Sequence, residues 1–174
     1  LEGDAPLVDG VPKRGTTVRF WPDAEIFTET TEFEFEVVMQ RMRELAFLNP
    51  GIRVQLVDDR DGREEEFFYD GGIVSFVEFL NLGRTQLHAP PVAISASKDG
   101  IEVDLALQWT TAYQETSFSF VNNIKTIEGG THVSGFKAAL TRTMNAYANA
   151  NGLLRTNKGE NLSGEDIREG LTTV

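Results

Sequence analysis

From Phe35 the apolar residues fall at helical spacing, through Val38, Met39, Met42, Leu45 and Ala46, until Asn49-Pro50-Gly51 halts the run. This predicts an amphipathic helix over 35–48 whose outer face carries Glu36, Gln40, Arg41, Arg43 and Glu44. The period then changes to two. Ile52 to Val57 alternates apolar and polar, Asp61-Gly62 supplies a tight turn, and Glu65 to Tyr69 returns, which predicts a β-hairpin. Gly71-Gly72 opens a short helix on Ile73, Phe76, Val77 and Leu80 that ends near Gly83. Val92 to Ala96 and the strictly alternating Ile101 to Trp109 read as strands about a Lys98-Asp99-Gly100 turn, and Ser117 to Val121 as a further strand closed by Asn122-Asn123. Beyond Gly129-Gly130 a long helix presents Phe136, Leu140, Met144 and Tyr147 on one side. A last helix starts at Ser163, with Asp166 three residues on as its capping acid. Upstream, Thr16 to Phe20 alternates and is rich in β-branched residues, predicting a strand that Trp21-Pro22-Asp23 ends. The polar, turn-rich residues 1–14 read as a linker ahead of one domain over 15–174. This irregular alternation predicts an α+β fold, a mixed or antiparallel sheet with helices on one face.

Charge adds a second pattern to the first. The chain has 27 acidic and 16 basic residues and a net charge of −11, which argues against a free-standing nucleic-acid binder, because duplex affinity rests on neutralising phosphates. The acid is unevenly spread, however. From Thr131 to Gly159 there is no Asp or Glu, while Lys137, Arg142, Arg155 and Lys158 supply four positive charges, so this segment is a candidate anion-facing surface. Lys137 and Arg142 are five positions apart and project about 140° from one another on a helix, so spacing alone leaves open whether they share a face. His132 stands at the mouth of the same helix, where it caps or hydrogen-bonds the turn.

Several chemistries are missing. The chain has no cysteine and two isolated histidines, which removes disulfides, thiolate nucleophiles and a His-rich metal site together. The acidic run from Asp58 to Glu66 fails as a calcium loop: with Gly62 as the loop glycine, Val57 occupies the first ligand position. There is no GxxxxGK[ST] or GxGxxG phosphate cradle, and His132 with Ser134, two residues apart in a turn, does not make a catalytic triad. No catalytic, cofactor-binding or metal-ligating residue is assigned. No apolar run is long enough to span a bilayer and no signal-peptide pattern opens the chain, so no membrane partner is expected and the cytoplasm is the default compartment.

Four blocks in fixed order carry a resemblance: Gly15 to Asp23, Glu44 to Gly51, Glu128 to Arg142 (EGGTHVSGFKAALTR) and Gly164 to Leu171. Together they resemble the second, transducer domain of the ATPase subunit of bacterial type IIA topoisomerases, the gyrase B family, over nearly the whole chain from Gly15. The resemblance implies the fold shared with domain 2 of ribosomal protein S5. It implies a non-catalytic relay, with ATP and Mg2+ bound in the parent protein by a preceding ATP-binding domain and no cofactor in this piece. It also implies that the helix bearing Lys137 and Arg142 faces the cavity that receives double-stranded DNA, with His132 at a domain contact. Lys137 stands where the family commonly has arginine, which keeps the charge and loses the bidentate fork. The implied partners are the preceding domain of the same chain, the DNA-cleaving gyrase A protein and a second copy of the gyrase B protein. The family's Gln-Thr-Lys loop, whose lysine reaches toward ATP, would fall beyond Val174, so the chain is expected to be an excised piece truncated at its C-terminal end. The equivalent domain of topoisomerase IV is the nearest alternative, and an RNA-binding module of the same fold is disfavoured by the negative charge.

Overall fold

The computed structural model describes residues 7–8, 11–12, 15–19, 21–154 and 161–174. They fall into two compact units, Leu1–Glu34 and Phe35–Val174.

In the first unit, β1 (Leu7–Val8) pairs antiparallel with β2 (Val11–Pro12). The rest of the linker expected over 1–14 lies outside the described residues. The strand expected from Thr16 to Phe20 does not form over 15–19, and Phe20 itself is not described. A strand is defined by a partner whose backbone completes its hydrogen bonds, and no partner lies beside this segment among the described residues. Arg19 instead covers the Trp21 ring at 5.3 Å, and Asp23 organises the following turn, its Oδ1 accepting from the Glu25 amide at 2.8 Å.

The second unit is built around α1 (Phe35–Leu48), α2 (Gly72–Leu80) and a four-stranded sheet. The hairpin β3 (Val54–Asp58) and β4 (Arg63–Phe67) has the expected register, Val54 opposite Phe67 and Asp58 opposite Arg63, and α1 lies against it. β5 (Val92–Lys98) and β6 (Ile101–Trp109) form the long antiparallel ladder turned at Asp99-Gly100. β10 (Leu171–Thr173) sits inside the sheet, antiparallel to β6 and parallel to β7 (Thr116–Ser117), giving the mixed order β5-β6-β10-β7. The pairing with β6 continues one residue past β10: the Val174 and Ala106 amides donate to each other's carbonyls at 3.0 and 2.9 Å. Gly170 makes this approach possible, since its φ is +69° and a Cβ there would run into the carbonyl oxygens of Thr110 and Ala112.

The strand expected over Ser117 to Val121 is broken in two. Only Thr116 and Ser117 follow β10, after which the chain leaves the sheet to make the small hairpin β8 (Phe120–Val121) and β9 (Ile124–Lys125) through Asn122 and Asn123, both at positive φ.

The core is where α1 and α2 meet β6 and β10. Phe47, Phe76, Val77, Ala106 and Val174 are buried together, and Phe47 stacks on Phe76 at 4.7 Å between ring centroids and on Tyr69 at 3.7 Å. Burying each such ring contributes about 2 to 3 kcal/mol, with about 1 kcal/mol more for a well-placed aromatic pair. One residue assigned to the outer face of α1 is misplaced. Glu44 is only 6% exposed, because Arg41 Nη1 at 3.0 Å and Lys125 Nζ at 3.2 Å bring it into a buried ion pair that ties α1 to β9. Its lysine partner is 81 residues away in the chain, so helical spacing could not have placed it.

The last two helices are α3 (Thr131–Ala150) and α4 (Gly164–Arg168). α4 begins with the expected capping box: the Asp166 amide donates to Ser163 Oγ at 3.1 Å and the Ser163 amide to Asp166 Oδ2 at 2.8 Å. Hydrogen bonds from Ser163, side chain before backbone, hold the Asp166 carboxyl below its ordinary range. The apolar row of α3 is the other departure. Met144 is 38% and Tyr147 61% exposed, whereas the residues buried on this helix are Asn145 and Ala148.

Candidate functional site

α3 and α4 enclose an open groove of about 680 Å³, lined by Lys137, Thr141, Arg142, Asn145, Asn149 and Arg168 among others. Among the described residues that line it, none is acidic. Lys137, Thr141, Asn145 and Asn149 follow one another at intervals of four, so one turn of helix after another presents a polar side chain to the same side. Asn145 is the hinge pin of the groove. Its Nδ2 donates to the Thr141 carbonyl at 3.0 Å and to the Leu162 carbonyl at 2.9 Å, and its Oδ1 accepts from the Leu162 amide at 2.8 Å. Asn149 repeats the motif one turn on, donating to Asn161 Oδ1 at 3.0 Å. α4 comes close to α3 because Gly164 has no side chain: a Cβ there would meet Thr141 Oγ1 at 3.1 Å and Arg168 Nη1 at 2.7 Å.

Both expected cations, Lys137 and Arg142, therefore stand on this groove, and Arg168 joins them from α4. The side chain of Lys137 is 35% exposed, and Arg142 is exposed with no ion-pair partner among the described residues. Lys137 and Arg168 share one carboxylate. Glu115, in the loop before β7, places Oε1 at 2.9 Å from Lys137 Nζ and Oε2 at 3.0 Å from Arg168 Nε. The Arg168 contact is a hydrogen bond, whereas Oε1 is closed to solvent and its contact with Lys137 lacks hydrogen-bond alignment. Chemically, the described residues of the groove offer positive charge and amide groups, and none of them is a paired nucleophile and base.

His132 lies at the other end of α3. Its Nε2 hydrogen-bonds with Thr126 Oγ1 at 3.1 Å, which ties the start of α3 to the loop after β9. Ser134 donates elsewhere, to the Thr131 carbonyl at 3.2 Å, so the two residues do not form a nucleophile and base pair. Two acids of the β3–β4 turn, Asp58 and Asp61, are likewise occupied by basic partners. Asp58 accepts from Arg60 Nη2 at 2.7 Å and Nε at 2.9 Å, and Asp61 from Arg63 Nε at 2.7 Å. Arg60 side-chain and backbone hydrogen bonds, then the charges of Arg60 and Arg63, lower Asp58 to about 2. Nor do the glycine pairs cradle phosphate: the Ser75 hydroxyl closes over Gly71 and the His132 ring over Gly130.

Sequence reasoning missed Asn145, Asn149 and Arg168 as groove residues and Glu115 as the partner of its cations. The fourfold interval from Lys137 to Asn149 is a legible signal for the first two. Nothing in the sequence pairs Glu115 with residues 22 and 53 positions away.

The family model for DNA gyrase B matches residues 72–174, which takes in the sheet, the groove and both of its helices. The chain belongs to the DNA gyrase B family. The DNA gyrase B protein of Streptococcus pyogenes serotype M1 is 51% identical over 173 residues, covering 98% of this chain and 26% of the relative. That of Bacillus mycoides is 49% identical over 172 residues, covering 98% of this chain and 42% of the relative. The chain thus spans about a quarter of the length of the streptococcal gyrase B protein. Among solved structures, the 43K ATPase domain of Thermus thermophilus gyrase B in complex with an aminocoumarin superposes with a TM-score of 0.71 at 34% identity, over 87% of this chain and 42% of that one. The B-subunit of the Myxococcus xanthus DNA gyrase gives 0.74 at 34% identity, over 87% and 41%. The topoisomerase IV ATP binding domain of Francisella tularensis, at 0.62 and 19% identity over 83% and 38%, shares the fold. The α+β architecture expected from the sequence is that of these gyrase B neighbours, and an S5-like description suits it.

Proposed function

We propose that this chain is the transducer domain of a gyrase B protein, relaying ATP binding and hydrolysis in an adjoining domain to movement of the DNA gate and lining the cavity that receives the transported duplex. The observation that carries the reading is the α3–α4 groove, where Lys137, Arg142 and Arg168 gather in a chain of net charge −11 with Glu115 as the one carboxylate paired to them among the described residues. Such a surface attracts phosphate where the rest of the molecule repels it. Lys137 makes a contact of charge without a fork, which suits a duplex that slides past rather than one that is gripped. The parent protein hydrolyses ATP with Mg2+ outside these residues. It works in the cytoplasm as a pair of gyrase B copies with the DNA-cleaving gyrase A protein, and His132 lies near a contact with the ATP-binding domain. The gyrase assignment is favoured over topoisomerase IV because curated gyrase relatives reach 51% identity.

The physical requirement for a relay is a stiff body, and the stacked core of α1, α2, β6 and β10 provides one. The test is Lys137→Gln in the full-length gyrase B protein, reconstituted with the gyrase A protein. DNA-stimulated ATP turnover should fall toward the DNA-free rate and supercoiling should slow, with thermal melting unchanged. Supercoiling and DNA stimulation equal to the wild type would count against the assignment.

A further inference from the structure

The groove does not present its cations freely. Lys137 and Arg168 are both engaged by the single carboxylate of Glu115, one oxygen on each. The Lys137 half of this bridge lacks hydrogen-bond alignment, so it holds by charge alone, and the lysine side chain keeps about a third of its surface in solvent. Glu115 also lines a second, acidic cleft with Tyr113, Glu165, Asp166, Arg168 and Glu169, whose carboxylates disfavour an anion there. The groove side, where Arg142 also stands, is the approach to Lys137 that a phosphate's charge favours.

Resting on the reading of this groove as a duplex contact, we propose that Glu115 is a built-in counter-ion that a DNA phosphate displaces from Lys137, so that Glu115 sets the affinity and reversibility of the contact. Exchange replaces one ion pair by another of the same charge, which keeps binding weak and its salt dependence shallower than a free Lys137 would give. It also has a mechanical consequence. Glu115 directly precedes β7, the sheet strand beside β10, and the next residue, Thr116, accepts from Arg84 Nη1 at 3.1 Å. Release of the carboxylate is felt first at that strand.

The test is binding of a short fluorescent duplex to the intact chain, followed by anisotropy at about 50 and about 200 mM monovalent salt. Glu115→Gln is expected to tighten binding roughly threefold to tenfold at the lower salt and to steepen the salt dependence by about one phosphate contact. Adding Lys137→Gln to that variant should remove the gain. Glu165→Gln, which deletes a nearby charge not bonded to Lys137, should change binding less than about twofold. A folded Glu115→Gln variant that binds no more tightly than the wild type overturns the proposal, as does an equal gain from Glu165→Gln. Should Glu115→Gln fail to fold, Glu115→Asp, too short to bridge both cations, is expected to give a smaller gain, and no gain overturns the idea. Lys137→Gln separates this failure from that of the parent reading: unchanged binding in both backgrounds means the groove is not a duplex contact at all.

Discussion

Helices α2 and α3 both follow a glycine pair, and they bury opposite chemistry. α2 is nine residues long, largely apolar, and sinks Phe76 and Val77 against β6 and β10. α3 is twenty residues long, buries Asn145 and Ala148, and leaves Met144 and Tyr147 in solvent. A helix whose apolar row is packed contributes rigidity. A helix whose packed face is a line of amides and hydroxyls is held by hydrogen bonds that must all be satisfied, and it can present basic residues on the rim of the same seam. The difference separates a packed apolar core from the basic groove.

The comparison is tested most severely at Phe76. Its ring contacts Phe47, Phe118 and Phe120, and removing it opens a cavity that the stacked neighbours cannot collapse into. Phe76→Ala should cost about 3 to 5 kcal/mol in chemical denaturation. A cost comparable with that of a surface substitution would mean that α2 is not the rigid partner.

On the α3 side the corresponding residue is Asn145. Asn145→Ala removes three hydrogen bonds at once and strands the amide and carbonyl of Leu162. The expected loss is about 1 to 3 kcal/mol, smaller than at Phe76, with the groove opening enough to weaken duplex binding as well. If stability falls as far as at Phe76, the polar seam is itself core and the contrast dissolves.

Why was one helix legible and the other half-legible? The α1 boundaries, the β3–β4 and β5–β6 hairpins, the start of α2 and the Ser163 cap are set by interactions within a few residues, and the chain states them directly. What was missed depends on distant partners. Glu44 is buried because Lys125 meets it, Glu115 matters because Lys137 and Arg168 converge on it, and Thr16 to Arg19 alternates like a strand without a strand beside it among the described residues. The apolar row of α3 misled for a related reason: periodicity shows that a face exists, not which face the tertiary structure covers. Lys137 and Arg142 came from charge asymmetry and family resemblance, and only the geometry showed that both border one groove.

Acid sensitivity sharpens the contrast further, because it should come from the hairpin under α1 rather than from the α3 seam. Asp58 is shielded chiefly by the guanidinium of Arg60 rather than by depth in the protein, and that partner lowers its carboxyl from 3.8 to about 2. A depressed carboxylate stabilises the fold above its unfolded value and loses that contribution as pH falls toward its folded value, here between about 4 and 2. Asp58→Asn should flatten the fall in melting temperature over that window and leave the melting temperature near pH 7 slightly lower. An unchanged acid limb would show that the Asp58–Arg60 pair is not held in solution.

The smallest effect is expected on the exposed row of α3 itself. Met144 has 38% of its surface in solvent, and its neighbour one turn on, Tyr147, has 61%. Met144→Ser therefore removes little buried area and should change stability by less than about 0.5 kcal/mol, with duplex binding intact because the substitution alters no groove residue. In the full-length protein the same substitution discriminates two uses of this face. A loss of ATP-coupled activity with an unchanged melting temperature would mean that another part of the parent protein covers the row, and stiffness would then reach α3 by docking rather than by its own packing. Full activity would leave α3 as an element anchored through Asn145 and its groove alone, which is the stronger form of the contrast with α2.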